Sequence, residues 1–97
     1  MFFEWDPIKD QVNRERHGIS FEEASELFNS GDDYLEIYDE EHSDDEERFI
    51  GIGPIRTRII VVIYTERSDD VIRLMSARRA TKREVQLFHQ YFEGIHE

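Results

Sequence analysis

Apolar and polar residues follow strand-like and helix-like patterns along the chain, and the clearest strand pattern lies in its second half. Ile59 to Ile63 form an unbroken β-branched run, which is short enough for a strand and lacks helical spacing. Residues 65–70 are a cluster of turn-forming polar residues, and residues 71–76 then resume an extended pattern. The segment from Thr57 to Ala80 therefore predicts a β-hairpin at the centre of a sheet.

The N-terminal segment predicts an edge strand followed by a first helix. Residues 2–5 are a short aromatic run of the kind found in edge strands. An aspartate followed by a proline predicts the start of a helix over residues 7–16, and Gly18 predicts its end. This helix is polar, with sparse apolar anchors at Ile8 and Val12.

The remaining elements complete an α+β pattern. A Ser-x-x-Glu capping box predicts a second helix over residues 20–29, and a second capping box, Thr81–Glu84, predicts a C-terminal helix. Strands are predicted at residues 34–38 and 48–52, on either side of an acidic loop over residues 39–47. The order β–α–α–β–β–β–β–α predicts a single domain over residues 1–97. We expect an antiparallel sheet of four to five strands, with the helices packed on one face.

Charge is distributed unevenly over the chain of 97 residues. The formal net charge is −11, and residues 1–50 carry 17 acidic but only 4 basic side chains. A simple electrostatic nucleic-acid binder is expected to be basic, so RNA binding would have to be local to the arginine-rich second half. The acidic half suits a basic protein partner.

Other sequence features limit the location and chemistry of the protein. The absence of cysteine excludes disulfides and thiolate metal sites. No secretion signal or membrane-spanning run is apparent, so we expect a cytoplasmic protein. No histidine spacing typical of a metal site is present, so we expect neither a metal nor another cofactor.

Four arginines surround the predicted hairpin, namely Arg58, Arg67, Arg73 and Arg78. Guanidinium groups on a rigid sheet suit an anionic ligand such as phosphate, although they are equally typical of ion pairs with the chain's own carboxylates. His17, at the end of the first helix, is typical of a general acid or base and also of a capping residue. Metal-free acid–base chemistry with arginines is sufficient to cleave RNA, because the 2′-hydroxyl is an internal nucleophile.

Several short motifs together resemble the BrnT toxin family. They occur in one order over nearly the whole chain, and they are Phe3-Glu4-Trp5-Asp6-Pro7, Asn13-Arg14-Glu15-Arg16-His17-Gly18, Phe21-x-x-Ala24, His42-Ser43-x-x-Glu46-Glu47-Arg48, Ile52-Gly53, Tyr64-Thr65-Glu66-Arg67 and Ile72-Arg73-Leu74-Met75-Ser76-Ala77-Arg78-Arg79-Ala80. The resemblance implies a toxin of a type II toxin–antitoxin system, with a fold like that of the RelE ribonucleases. It also implies a BrnA-type antitoxin as partner, and binding to the operon promoter only through the toxin–antitoxin complex.

The resemblance also suggests which residues act. We expect a catalytic set made of His17, Glu47, Arg58, Arg67 and Arg78, in which the arginines stabilise the scissile phosphate and His17 or Glu47 transfers protons. We expect an RNA-binding set made of Arg48, Tyr64 and Arg73, with Tyr64 stacking on a base or positioning the RNA.

Two functional hypotheses follow from these observations. The first is a metal-independent endoribonuclease toxin that cleaves mRNA, inhibits growth and leaves a cyclic phosphate. The second is a weakly active or inactive family member that mainly binds its antitoxin and tunes promoter binding. A free-standing DNA-binding protein is disfavoured, because no basic recognition helix is apparent.

Overall fold

The computed structural model describes residues 1–68 and 70–93, which form five strands, four α-helices and one 3₁₀ turn. The strands are β1 (Phe2–Glu4), β2 (Leu35–Tyr38), β3 (Arg48–Ile55), β4 (Arg58–Ser68) and β5 (Val71–Arg79). The helices are α1 (Pro7–His17), α2 (Phe21–Ala24), α3 (Glu26–Asn29) and α4 (Lys82–Glu93), and the 3₁₀ turn spans Glu40–His42. Within these residues, no helix has the length and apolar content that crossing a bilayer requires.

The element order is as predicted, with three local differences. The predicted second helix is divided at Ser25, whose hydroxyl donates to the Glu22 carbonyl 2.6 Å away and so competes with the helical backbone pattern. β3 continues through its glycine–proline segment to Ile55. The turn predicted over residues 65–70 is shorter, because β4 extends to Ser68; Asp69 lies outside the described residues.

The five strands form one sheet in the order β1-β5-β4-β3-β2. The strands from β2 to β5 pair antiparallel, as predicted, whereas β1 pairs parallel with β5. No hairpin joins β1 to β5, so the local sequence does not fix their relative direction. The α+β class and the strand number are confirmed, and the sheet is mixed rather than wholly antiparallel.

The core has two sides because β4 is apolar on both faces. Ile60, Val62 and Tyr64 belong to a buried cluster with residues of α2 and α3 such as Phe21 and Leu27. The alternate residues of β4, centred on Val61, belong to a second cluster against which Phe88 and Phe92 of α4 pack. The prediction that all helices pack on one face is therefore wrong for α4, since a continuous apolar strand needs cover on both faces.

Asn13 joins α1 to the outer edge of β5. β1 pairs only with residues 71–73, so the edge of β5 beyond Arg73 is not covered by a strand. Asn13 is 6% exposed, and its amide nitrogen donates to the carbonyls of Ile19 and Ala77 at 2.9 and 2.8 Å. Its oxygen accepts from the Ala77 N–H at 3.1 Å. One side chain thus satisfies both backbone groups of Ala77, as a neighbouring strand would.

An ion pair fixes the start of α4, and we expect it to make folding stability depend on pH. Both guanidinium nitrogens NH1 and NH2 of Arg78 donate to the Glu84 carboxylate, at 2.7 and 2.8 Å, and this holds the pKa of Glu84 at about 2 instead of 4.5. A lowered pKa in the folded state stabilises the protein above pH 4.5, and this stabilisation is lost as the pH falls towards 2.

Replacing Arg78 with alanine should therefore flatten the dependence of stability on pH below 4.5. Because Glu84 is partly solvated, we expect the free energy of unfolding at pH 6 to fall by only about 1 kcal/mol. The measurement is chemical denaturation at pH 6 and pH 3, with the exposed neighbour Arg79→Ala as control. Equal losses of unfolding free energy at the two pH values for Arg78→Ala would show that Arg78 is not the cause of the low pKa of Glu84.

Candidate active site

A row of four side chains crosses four adjacent strands on the face that carries α4. Glu4 of β1 pairs with Arg73 of β5, Arg73 pairs with Thr65 of β4, and Thr65 pairs with Arg48 of β3. Directly opposed residues on neighbouring strands point to the same side of a sheet, so these four side chains lie next to one another. Thr65 is two positions beyond Ile63, which packs against the α4-side cluster. The row therefore lies beyond the apolar residues under α4.

Arg67 lies two positions beyond Thr65 on β4, on the same face as the row, where the pairing of β4 with β5 is irregular. Glu66 pairs with Ile72 and Ser68 with Val71, so Arg67 is the extra residue of β4. Its guanidinium donates to the carboxylates of Glu4 and Glu46, both at 3.2 Å. Glu4 also lies 3.8 Å from a guanidinium nitrogen of Arg73. The arginines and carboxylates thus form one network, which we call the arginine row (Arg48, Arg67 and Arg73 with Thr65).

Two buried polar atoms of the arginine row have no hydrogen-bond partner within the described residues, namely Thr65 Oγ1 and Arg48 Nε. Thr65 is 1% exposed, so its hydroxyl is also shielded from bulk water. A buried polar group without a partner costs about 1–3 kcal/mol, which is unusual at adjacent positions in a native protein. A ligand or water that enters the row and accepts or donates hydrogen bonds would recover this free energy.

His42 lies beside the arginine row, where the acidic loop is tied to the start of β3. The Ser43 hydroxyl accepts from the Arg48 N–H at 2.9 Å, and the Asp39 N–H donates to the Arg48 carbonyl at 2.8 Å. Asp39 also contacts His42 Nδ1 at 3.0 Å, which fixes the ring and leaves Nε2 available. His42, Arg48, Arg67 and Glu46 share a cavity of about 480 Å³, which is also lined by Glu41, Asp44 and Asp45.

His17 lines a separate groove between α1 and β5. The groove also contacts Lys9, Met75 and Ser76, and these three residues line an adjoining cavity that contains Arg48 and His42. His17 is exposed at the end of α1, where Gly18 ends the helix with a φ of 71°. The structure therefore connects His17 to the arginine row through a continuous depression, but does not place it within the row.

The predicted catalytic arginines do not all meet. Arg58 lies on the opposite face of β4, where it donates to Glu23 of α2 at 3.0 Å. It is seven residues from Thr65, or about 23 Å along the strand. Arg78 lies on the same face as the row, but it pairs with Val61, about 13 Å from Thr65, and is held by Glu84. The structure therefore does not bring Arg58, Arg67 and Arg78 together around one phosphate.

Tyr64 and Glu47 also differ from expectation. Tyr64 is 0% exposed on the α2 and α3 side of the sheet, where it packs against Phe28 and donates to Glu36. Its ring cannot stack on a base from there. Burial and the Glu36 carboxylate raise the pKa of Tyr64 far above its usual range, so the hydroxyl keeps its proton at neutral pH. Glu47 is exposed, and the neighbouring Glu46 is the carboxylate that reaches Arg67.

From the sequence, Arg48, Arg67 and Arg73 are predicted site residues, and Glu46, on the same face as Arg48, is either a general base or an ion-pair partner. No role is predicted for Thr65 or Glu4, and His42 is noted only for its position among carboxylates and within a motif of the resemblance. Among the described residues, no three histidine, aspartate or glutamate side chains are arranged to hold a metal ion.

Comparisons with known proteins show the family and the fold of the chain. A family model described as the ribonuclease toxin BrnT of a type II toxin–antitoxin system matches residues 5–84, a range that contains the whole arginine row and the loop with His42. The 1.1 Å crystal structure of the Brucella abortus ribonuclease toxin BrnT is similar, with a TM-score of 0.67 and 26% sequence identity. The similarity covers 84% of this chain and 100% of that one. No curated protein matches the sequence.

Proposed function

The chain belongs to the family of BrnT ribonuclease toxins of type II toxin–antitoxin systems, and from this premise we propose that it cleaves mRNA without a metal ion. The observation that carries this proposal is the arginine row beside His42. Arg48, Arg67 and Arg73 offer several guanidinium donors to one phosphate group, and the histidine offers a proton carrier. These are the groups that transesterification of RNA requires.

The proposed reaction is an attack of the ribose 2′-oxygen on the adjacent phosphorus. The P–O2′ bond forms and the P–O5′ bond breaks, giving a 2′,3′-cyclic phosphate and a 5′-hydroxyl product. The 2′-hydroxyl loses a proton to a base, and the leaving 5′-oxygen gains one from an acid. The arginine row stabilises the negative charge of the phosphorane, which is greater than that of the starting phosphodiester.

His42 is the proposed proton carrier. Its Nδ1 faces the Asp39 carboxylate at 3.0 Å, so Nε2 is the nitrogen left to face the cavity and exchange a proton with RNA. Glu46, in the same cavity, is the proposed second group, because its carboxylate lies 3.2 Å from Arg67. His17 remains a candidate for contact with RNA at the far end of the depression.

Replacing His42 with alanine should lower the rate of RNA cleavage by about 10²- to 10⁴-fold, because a positioned general acid or base contributes this much. His89→Ala is the matched control: His89 is also an exposed histidine whose Nδ1 faces a carboxylate, that of Glu93 at 3.3 Å. Single-turnover cleavage of a labelled RNA measures both variants. A His42 variant as active as the His89 variant would remove His42 from the mechanism.

The family assignment implies an antitoxin partner. We propose that this partner is of the BrnA type, and that the operon promoter is bound only by the toxin–antitoxin complex. The acidic residues Glu41, Asp44 and Asp45 line the same cavity as Arg67, so a basic antitoxin segment that binds them would also cover the arginine row. This arrangement supports inhibition by direct occlusion of the cytoplasmic toxin's active site.

One observation favours the alternative, a weakly active family member that mainly binds its antitoxin. Glu4 and Glu46 already occupy the Arg67 guanidinium, and RNA phosphates must displace them in a chain whose net charge is −11. Expression of the chain alone in a bacterial host separates the two functions. Growth arrest with loss of mRNA supports the ribonuclease toxin, whereas normal growth with abundant folded protein supports the binding module.

A further inference from the structure

The apolar side chains of α1 are uncovered, although apolar residues of a helix normally face the core. Ile8 is 72% exposed and Val12 is 44% exposed, and Asn13 is the only buried residue of this helix. The prediction that Ile8 and Val12 anchor the helix is therefore wrong. Both residues instead form one wall of the groove that contains His17.

An irregularity in β5 forms the opposite wall of this groove. Ile63 pairs with Ser76 and Tyr64 pairs with Leu74, so Met75 is the extra residue of β5 at that point. Met75 lines the groove together with Ile8 and Val12. The volume of the groove, about 290 Å³, is just below the range of about 300–1,000 Å³ typical of pockets for drug-sized ligands. The groove therefore suits a small and largely apolar group.

The charges around the groove favour an anionic ligand. Its charged or titratable lining residues are Lys9, Arg16 and His17, and no carboxylate lines it. This is unusual in a chain with 23 acidic and 12 basic side chains. A phosphate-linked ligand is attracted to such a surface, whereas the cavity at Arg67 contains several carboxylates.

The groove is continuous with the arginine row. Lys9, Met75 and Ser76 line both the groove and the adjoining cavity with Arg48 and His42. An RNA strand whose scissile phosphate lies on the arginine row therefore extends naturally into the groove. Single-stranded RNA is bound in this manner elsewhere, with unstacked bases held on planar or apolar side chains along a positively charged path.

We propose that the groove between α1 and β5 binds the nucleobase of a nucleotide next to the scissile phosphate. Ile8, Val12 and Met75 contact the face of the base, and Lys9 and Arg16 contact the neighbouring phosphates. This inference rests on the proposed ribonuclease function and adds a specificity site to it. A protein segment is the competing occupant, and the positive lining and the continuity with the arginine row favour RNA.

The test is binding of a fluorescein-labelled 2′-O-methyl oligoribonucleotide of about eight nucleotides, which lacks the internal nucleophile and is not cleaved. Val12→Asp places a carboxylate in the groove at an exposed position and should weaken binding at least about tenfold. Val12→Ser, which adds no charge, should weaken binding of the same oligonucleotide by about threefold or more. Gln11→Asp adds the same charge on α1 at an exposed residue outside the groove lining, and should change binding less than about twofold.

Each outcome decides the proposal separately from the proposed function. The groove proposal would be overturned if Val12→Asp binds the oligonucleotide as well as Gln11→Asp does. It would also be overturned if Val12→Asp keeps its RNA binding but is no longer inhibited by the antitoxin, because the groove would then bind the protein partner. If the wild-type protein binds the oligonucleotide through the groove but cleaves no RNA, the groove proposal stands and the ribonuclease function is rejected. Failure of the wild-type protein to bind the oligonucleotide would overturn the groove proposal, whereas the cleavage assay decides the ribonuclease function.

Discussion

Replacing Arg67 with alanine should lower the rate of RNA cleavage by about two to three orders of magnitude. Loss of one donor that stabilises the charge of a transition state has an effect of this size in other enzymes. Within the arginine row, the Arg67 guanidinium donates to two carboxylates, those of Glu4 and Glu46. Arg48→Ala and Arg73→Ala should show losses of similar size, because both side chains flank Thr65 in the same row.

Arg58→Ala is the matched control for this prediction. Arg58 is also held by a carboxylate, that of Glu23 at 3.0 Å, but it lies on the other face of β4 and at its far end. It should keep cleavage within about threefold of wild type, since it cannot contact a phosphate on the arginine row. Single-turnover rates with folding checked by circular dichroism compare the variants. Equal losses for Arg58→Ala and Arg67→Ala would contradict the site.

Replacing Asn13 with alanine should lower the free energy of unfolding by about 2–4 kcal/mol. The substitution leaves the N–H and carbonyl of Ala77 and the carbonyl of Ile19 without their side-chain partner in a buried position. A buried polar group left without a partner costs about 1–3 kcal/mol, and partial access of water to the sheet edge reduces the sum of three such costs. This is a large fraction of the stability of a small domain.

Two further variants test this role of Asn13. Asn13→Asp keeps the size and the acceptor oxygen but cannot donate to the two carbonyls, so we expect a loss at least as large as with alanine. Gln11→Ala, at an exposed position on the same helix, should change stability by less than about 0.5 kcal/mol. Chemical denaturation measures all three. A loss below about 1 kcal/mol for Asn13→Ala would show that the edge of β5 does not depend on it.

Local signals in the sequence predicted the helix starts and the order of elements along the chain well. Asp6 accepts from the Ile8 N–H, Ser20 accepts from the Glu23 N–H, and Thr81 and Glu84 cap α4 reciprocally. These interactions join residues at most three positions apart, so their residue types and spacing are sufficient to predict them. The continuous apolar run of β4 also predicted a central strand, although it should have indicated a helix on each face.

The composition of the candidate site depended on features that the sequence does not display. Arg67 and Met75 are each an extra residue in the pairing of β4 with β5, and such irregularities change which side chains share a face. The contact between Glu4 and Arg67 joins residues 63 positions apart. Tyr64 has the residue type of an RNA-stacking residue, but its even spacing from Ile60 and Val62 places it in the core.

The decisive measurement is cleavage of a defined RNA by the purified chain in excess chelator, with the product ends identified. We expect cleavage that persists in chelator, gives 2′,3′-cyclic phosphate and 5′-hydroxyl ends, and stops when the nucleotide at the cut carries a 2′-deoxyribose. Cleavage that requires a divalent metal, or that leaves a 5′-phosphate, would contradict metal-independent transesterification at the arginine row.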